Sequence, residues 1–244
     1  MENQRIEKMD SDAILACLRK HLNEQRPVLL YNVYHGIPIT YEAEVAMIHP
    51  DFIGLVVHPY QAVCIKEDRC TFIESKLVPG LVCASPVFID YTNHVVLFKH
   101  LRITAEIPFD LYHSWVTPEN PVRVDIGSDH AKDLTSEIGK LAMLNDNWVR
   151  VVVDVPEGSP YALQDTIDLT FRLEEDGDLI QVQGVVKAIV RDESQQDDKW
   201  LEVEGRATMG DEISILAFIA KREDAVMGAL YKVYKKLRKR KNKK

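Results

Sequence analysis

Hydrophobic positions along the chain fall mostly at the two-residue spacing of half-buried strands, between two stretches at helical spacing. Near the N-terminus Ile14, Leu15, Leu18 and Leu22 share one face, so residues 11–23 predict a short amphipathic helix with Ser11 as N-cap, stopped by Pro27. Strand spacing then takes over. Residues 28–34 and 39–45 flank a turn at His35, Gly36 and Pro38, and Ile39, Tyr41, Ala43 and Val45 alternate. Residues 51–57 and 62–65 are expected as strands around a His58-Pro59 turn, before a charged turn at 66–69 and a short strand at 70–75. Residues 81–91 and 94–104 pair as a long hairpin around Thr92 and Asn93. Six or seven short strands at this spacing make a small closed or split β-barrel.

The stretch 115–139 breaks the rhythm. It is polar, holds two prolines and two glycines, and reads as the joint between two domains. Past it, 139–144 and 149–155 are expected as strands, the second stopped by Pro156. Ile167, Leu169, Phe171 and Leu173 alternate up to a hairpin turn at 174–178, residues 180–190 return, and a charged loop at 191–199 leads to a last strand at 200–205. This predicts a second antiparallel barrel or sandwich. Thr208 then caps a helix with Asp211 at N3. Ile213, Leu216, Ala217, Ala220, Ala225, Val226, Ala229, Leu230, Val233, Tyr234 and Leu237 follow at helical spacing, a stripe that either covers the end of a barrel or meets a second copy of the chain.

Composition is that of an ordinary globular protein, with 46% hydrophobic and 28% charged residues in 244. Charge changes the picture more. The last thirteen residues hold nine Lys or Arg and no acid, which leaves −17 on residues 1–231 against −8 for the whole chain. An acidic body argues against a specific nucleic-acid surface. The tail, 235–244, is either a solvated, disordered end or an electrostatic contact to an anionic surface. No apolar run approaches the ~18–20 residues that span a bilayer, and the charged start lacks the apolar core of a signal peptide, so a cytoplasmic protein is expected.

Candidate chemistry is sparse. Cys17, Cys64, Cys70 and Cys83 form no CxxC pair or zinc spacing and read as reduced, buried thiols. The eight histidines form no HxH or HExxH pattern, so no metal is expected. GxSxG, P-loop and dinucleotide-binding glycine patterns are missing, and the acids at 174–176 sit in a turn, so no catalytic residues are expected. The joint differs: Asp133, Thr135, Ser136 and Gly139 put an acceptor, two hydroxyls and a side-chain-free position within seven residues. Lys99, Arg102, Arg123 and Lys132 are cations able to meet a phosphate.

On these residues the chain resembles the PilZ family, in particular its two-domain flagellar-brake-like members. The resemblance runs from the helix at 13–18, through Trp115-Val-Thr-Pro and the Asp133-Leu-Thr-Ser-Glu-Ile-Gly139 segment, to the helix at 217–227. It implies a mostly β fold of two small antiparallel barrels, a split barrel at 1–107 and a PilZ-like barrel at 108–234, with a short N-terminal helix, a long C-terminal helix and the tail at 235–244. It also implies a non-enzymatic signalling protein that holds cyclic di-GMP at the domain junction, or serves as a regulatory adaptor for motility or surface behaviour.

In the family an RxxxR segment and a D/N-x-S-x-x-G segment clamp the nucleotide. Here Asp133 matches the second motif, Thr135 stands for its serine, and Gly139 comes one residue late. Leu111 and Trp115 occupy the arginine positions, and an alternative register over 98–102 recovers Arg102 alone. The implied ligand residues are therefore Lys99, Arg102, Asp133, Thr135, Ser136 and Gly139. Two further readings follow: a PilZ-like protein-binding adaptor that no longer takes the nucleotide, and a flavin-binding protein, since the first split barrel resembles flavin reductase barrels. A protein partner is implied as well, and the apolar stripe of the C-terminal helix leaves a homodimer as the alternative to barrel packing.

Overall fold

The structure is a computed structural model, and it describes residues 10–104, 111–128, 137–154, 161–191 and 198–241. Two closed six-stranded antiparallel barrels follow one another in the chain. The mostly β architecture of two small barrels with a short first helix and a long last one, expected from the sequence, is what the chain adopts. Its residues group into two compact units, Met1–His113 with Ala225–Lys244, and Ser114–Asp224.

The first unit opens with α1 (Ser11–Glu24). Its N-cap is Asp10 rather than Ser11, because the Asp10 carboxylate accepts from Ala13 N at 2.8 Å and satisfies an amide the first turn leaves free. Strands β1 (Val28–Tyr34), β2 (Ile37–His49), β3 (Phe52–Val56), β4 (Thr71–Glu74), β5 (Leu81–Asp90) and β6 (Val95–Thr104) close in the order β1-β2-β3-β6-β5-β4. Leu30, Ile53, Leu55, Ile73, Val82, Val96 and Phe98 fill the interior, and Ile14, Leu15 and Leu18 of α1 join the same core. The β5–β6 hairpin turns where it was expected, with Asp90 accepting from Thr92 N and Asn93 Nδ2, both at 2.9 Å.

Residues 62–65 correct the sequence reading. They belong to a helix, α2 (Pro59–Asp68), not to a strand. His58 caps it, Pro59 opens it, and Gln61 through Ile65 are buried in unbroken succession, which an alternating strand would not show. Its end is pinned by Asn32, whose Nδ2 donates to Asp68 Oδ2 at 2.9 Å and to the Cys70 carbonyl at 2.8 Å; Gln61 Nε2 donates to Asn32 Oδ1 at 2.7 Å. Tertiary hydrogen bonding thus outweighs the β preference of Val63 and Ile65.

The second unit holds β7 (Val122–Ser128), β8 (Glu137–Leu144), β9 (Trp148–Asp154), β10 (Thr166–Phe171), β11 (Ile180–Arg191) and β12 (Asp198–Ala207), in the order β10-β11-β12-β9-β8-β7. Strand β7 lies inside the stretch expected as a loop. Val122, Val124 and Ile126 are buried while Arg123 pairs outward with Asp125 at 2.9 Å, so the period of two was present between Pro121 and Gly127. It pairs with both β8 and β10 and closes the barrel.

The last helix, α3 (Met209–Lys241), runs 33 residues. Thr208 caps it as expected, its hydroxyl donating to Asp211 Oδ2 at 2.9 Å. Its buried stripe is Ile215, Ile219, Leu230 and Tyr234, whereas Ile213 and Leu216, expected inward, are 64% and 45% exposed. Leu230 and Tyr234 are buried as expected, while at the start of the helix packing selects Ile215 and Ile219 over Ile213 and Leu216. The helix also continues through Lys241, so residues 235–241 are not a disordered end; cations at a helix C-terminus are favoured by its dipole. Among the described residues no helix is long and apolar enough to cross a membrane.

Candidate functional site

Lys99 and Arg102 lie on β6 of the first barrel. Lys99 pairs with Ser85 and Arg102 with Cys83, so two β6 residues, His100 and Leu101, oppose Ala84 alone. His100 takes φ 55° as the extra residue of this bulge. Without the insertion, positions three apart would face opposite sides of the sheet. With it, Phe98 and Leu101 both point inward, Arg102 is exposed, and Lys99 is half-exposed on the outer side. Among the described residues neither cation is in an ion pair. Arg123, in the second unit, is engaged by Asp125.

Gly139 belongs to the second unit, on β8. It is buried against β9, and an added Cβ would stand 2.4 Å from Val151 Cγ1 and 3.1 Å from the Val152 carbonyl oxygen. The missing side chain therefore serves strand packing. Asp133, Thr135, Ser136 and Lys132 lie outside the described residues.

Leu111 and Trp115, which the sequence reading sets against the two arginines, are 2% and 4% exposed. Leu111 packs with Tyr31 and Leu81 in the first unit. Trp115, in the second, carries the Arg150 guanidinium over its ring, and Arg150 Nε reaches Glu202 Oε1 at 2.8 Å. A cation is present beside Trp115, then, but it comes from β9 and is already neutralised.

Other groupings escaped the sequence reading because their members are far apart in the chain. His21 and Ser75 lie beside a cleft of about 500 Å³ lined also by Arg26, Glu42, Glu74 and Leu77. His21 Nδ1 donates to the Arg26 carbonyl at 3.2 Å, leaving Nε2 to accept from Ser75 Oγ at 2.7 Å. The pair resembles a nucleophile and its base, yet both residues are only 5% exposed and Ser75 Oγ also accepts from Leu77 N, so it fastens α1 to the end of β4. Elsewhere in the first unit Tyr60 meets Tyr231 and Tyr234 edge-on, and His94 Nε2 lies 3.0 Å from the Tyr234 hydroxyl. The cysteines are free but not uniformly buried: Cys17 and Cys70 are half-buried, and Cys70 touches Cys83. Among the described residues no three His, Cys, Asp or Glu are placed to hold a metal.

No protein-family model matches the chain, and no curated protein matches it. Several solved structures are similar. MrkH of K. pneumonia in complex with c-di-GMP shares 12% identity over 92% of this chain and 98% of its own, with a TM-score of 0.44. The Bacillus subtilis inhibitor of motility (MotI/DgrA) shares 14% over 81% and 95%, with a TM-score of 0.40. YcgR from Escherichia coli in complex with c-di-GMP shares 13% over 96% and 99%, again at 0.40. Scores of this size carry nothing about ligand or partner.

Proposed function

We propose that the chain is a non-enzymatic, cytoplasmic signalling protein of the PilZ type. The observation that carries this reading is the order of its parts: two closed six-stranded barrels in succession, then a long capped helix. That is the architecture the sequence resemblance implies. Cyclic di-GMP would be contacted by Lys99 and Arg102 at its phosphates and by Asp133, Ser136 and Gly139 at its base, with Thr135 in the same segment. The β6 bulge supports the first pair, since it turns two cations outward together.

A second reading has one observation in its favour. Leu111 and Trp115 are buried and replace the two charge-assisted phosphate contacts the family uses. On that reading the chain is an adaptor that acts through protein contacts, with the exposed Met209, Ile213 and Leu216 of α3 as its apolar surface, a second copy as the partner to test first, and the basic end of α3 as its anionic-surface contact.

Calorimetry with cyclic di-GMP and the full chain separates the two. The receptor reading expects saturable heat in the wild type and at least about tenfold weaker binding in Arg102→Ala and Asp133→Ala, each lost charged contact being worth roughly 1.5–3 kcal/mol. No heat at high micromolar nucleotide overturns it and leaves the adaptor.

A further inference from the structure

Cys70 and Cys83 lie thirteen positions apart in sequence, yet their sulfurs stand 2.6 Å apart. A covalent S–S bond measures about 2.05 Å, so closing it requires a movement of roughly half an ångström. The backbone on both sides is fixed. The carbonyl of Cys70 accepts from Asn32 Nδ2, and Asn32 is tied in turn to Asp68 and Gln61. Next to Cys70, Thr71 pairs with Ala84 in the β4–β5 ladder. Cys83 sits in β5 directly across from Arg102, at the edge of the β6 bulge. Cys17 and Cys64 have no such neighbour: Cys17 is on α1, and Cys64 lies buried in α2.

We propose that Cys70 and Cys83 form a site of oxidative modification, closing to an intramolecular disulfide when the protein meets a low-molecular-weight disulfide such as glutathione disulfide. Cys70 is half-buried and Cys83 only 7% exposed, so Cys70 meets the oxidant and Cys83 resolves. Cys70 gives up its proton, its thiolate attacks one glutathione sulfur, and a Cys70–glutathione bond forms while the first glutathione leaves as a thiolate and takes up a proton. Cys83 then gives up its proton, its thiolate attacks the Cys70 sulfur, the intramolecular bond forms as the Cys70–glutathione bond breaks, and the second glutathione leaves as a thiolate and takes up a proton. Two protein thiols are oxidised and one glutathione disulfide is reduced to two thiols.

The environment sets how the site behaves. Burial, then the hydrogen bond with Cys83, push the Cys70 thiol up, and the Arg102 charge pulls it back in part. A raised thiol pKa keeps the thiolate scarce at neutral pH, so closure is slow and speeds up about tenfold per pH unit. It also favours the disulfide once made, the reverse of oxidising couples whose thiolate is stabilised. The proposal stands independently of nucleotide binding.

The test treats the full chain with glutathione disulfide, quenches it in denaturant with an alkylating agent, and maps non-reduced peptides by mass. The expected result is loss of two of the four free thiols and a single cross-linked peptide pair joining Cys70 to Cys83, reversed by dithiothreitol. Cys83→Ser should instead trap one glutathione on Cys70, an adduct the wild type does not accumulate. Cys64→Ser should cross-link like the wild type and guards against a folding defect in the first variant. Four alkylatable thiols after treatment, or a cross-link through Cys17 or Cys64, overturns the proposal.

Discussion

The guanidinium carbon of Arg150 stands 4.3 Å from the centre of the Trp115 ring, and its Nε lies 2.8 Å from Glu202 Oε1. Trp115 is thus the platform for a half-buried cation of the second barrel. Trp115→Ala should destabilise the second unit by about 3–5 kcal/mol in a denaturant melt, the range for removing a buried aromatic. Trp115→Arg should do at least as much, since it sets a second guanidinium beside Arg150 in place of the ring. A Trp115→Arg protein as stable as the wild type would show that the ring does not support Arg150.

Gly139 is expected to tolerate no side chain. The Gly139→Ala methyl would meet Val151 Cγ1 at 2.4 Å and a backbone oxygen behind it. A loss of about 1–3 kcal/mol is expected from overpacking, recovered in part when Val151→Ala is added. A double-mutant cycle by chemical denaturation checks the coupling. If the two substitutions were simply additive, the clash would not be the cause.

Stability of the first unit should fall in mild acid through His58. Burial, and then the nearby His94, lower its pKa below 6.5. Its ring stacks on Tyr41 at 3.7 Å, meets Tyr60 edge-on, and its Nδ1 accepts from Tyr60 N at the start of α2. The unfolded chain therefore takes up the proton first, so stability is full above about pH 6.5 and declines as the pH falls through the depressed folded value. His58→Asn keeps a capping acceptor and removes the titration. Its melting temperature should vary less between pH 7 and pH 5 than that of the wild type, and identical profiles would assign the acid sensitivity elsewhere.

Leu230 and Tyr234 should matter to the first barrel although they come more than a hundred residues after it. Leu230 is fully buried and Tyr234 nearly so, with its hydroxyl against His94. Leu230→Ala is expected to cost about 2–5 kcal/mol and Tyr234→Phe about 0.5–1.5 kcal/mol. Hydrogen exchange by mass spectrometry would place the Leu230→Ala loss in strands of the first barrel. A loss confined to residues 114–224 would contradict the grouping of Ala225–Lys244 with the first unit.

Local chemistry determined much of this protein directly. The alternation of Ile39, Tyr41, Ala43 and Val45, the hairpins at 81–104 and 166–191, and the cap at Thr208 are short-range signals, and each is where the sequence places it. Two successive antiparallel β units were legible for the same reason, because strand period and turn residues act within a few positions; that the second closes as a barrel rather than a sandwich was implied by the resemblance alone. Other features were settled only by tertiary structure. Residues 59–68 became a helix through a cap and a buried hydrogen-bond network with Asn32, and β7 became a strand because its inward valines and isoleucine met a barrel that needed closing. At the start of α3, burial of Ile215 and Ile219 instead of Ile213 and Leu216 was a choice between two sets of equal period. In the candidate site, the residue types at Lys99 and Arg102 were visible, but their common outward direction depends on a one-residue bulge opposite Ala84. Leu111 and Trp115 were visible as missing arginines, while their burial, and the cation Trp115 supports, required partners distant in sequence. The closeness of Cys70 and Cys83 arises the same way: thirteen residues separate them along the chain, and the fold brings their sulfurs together.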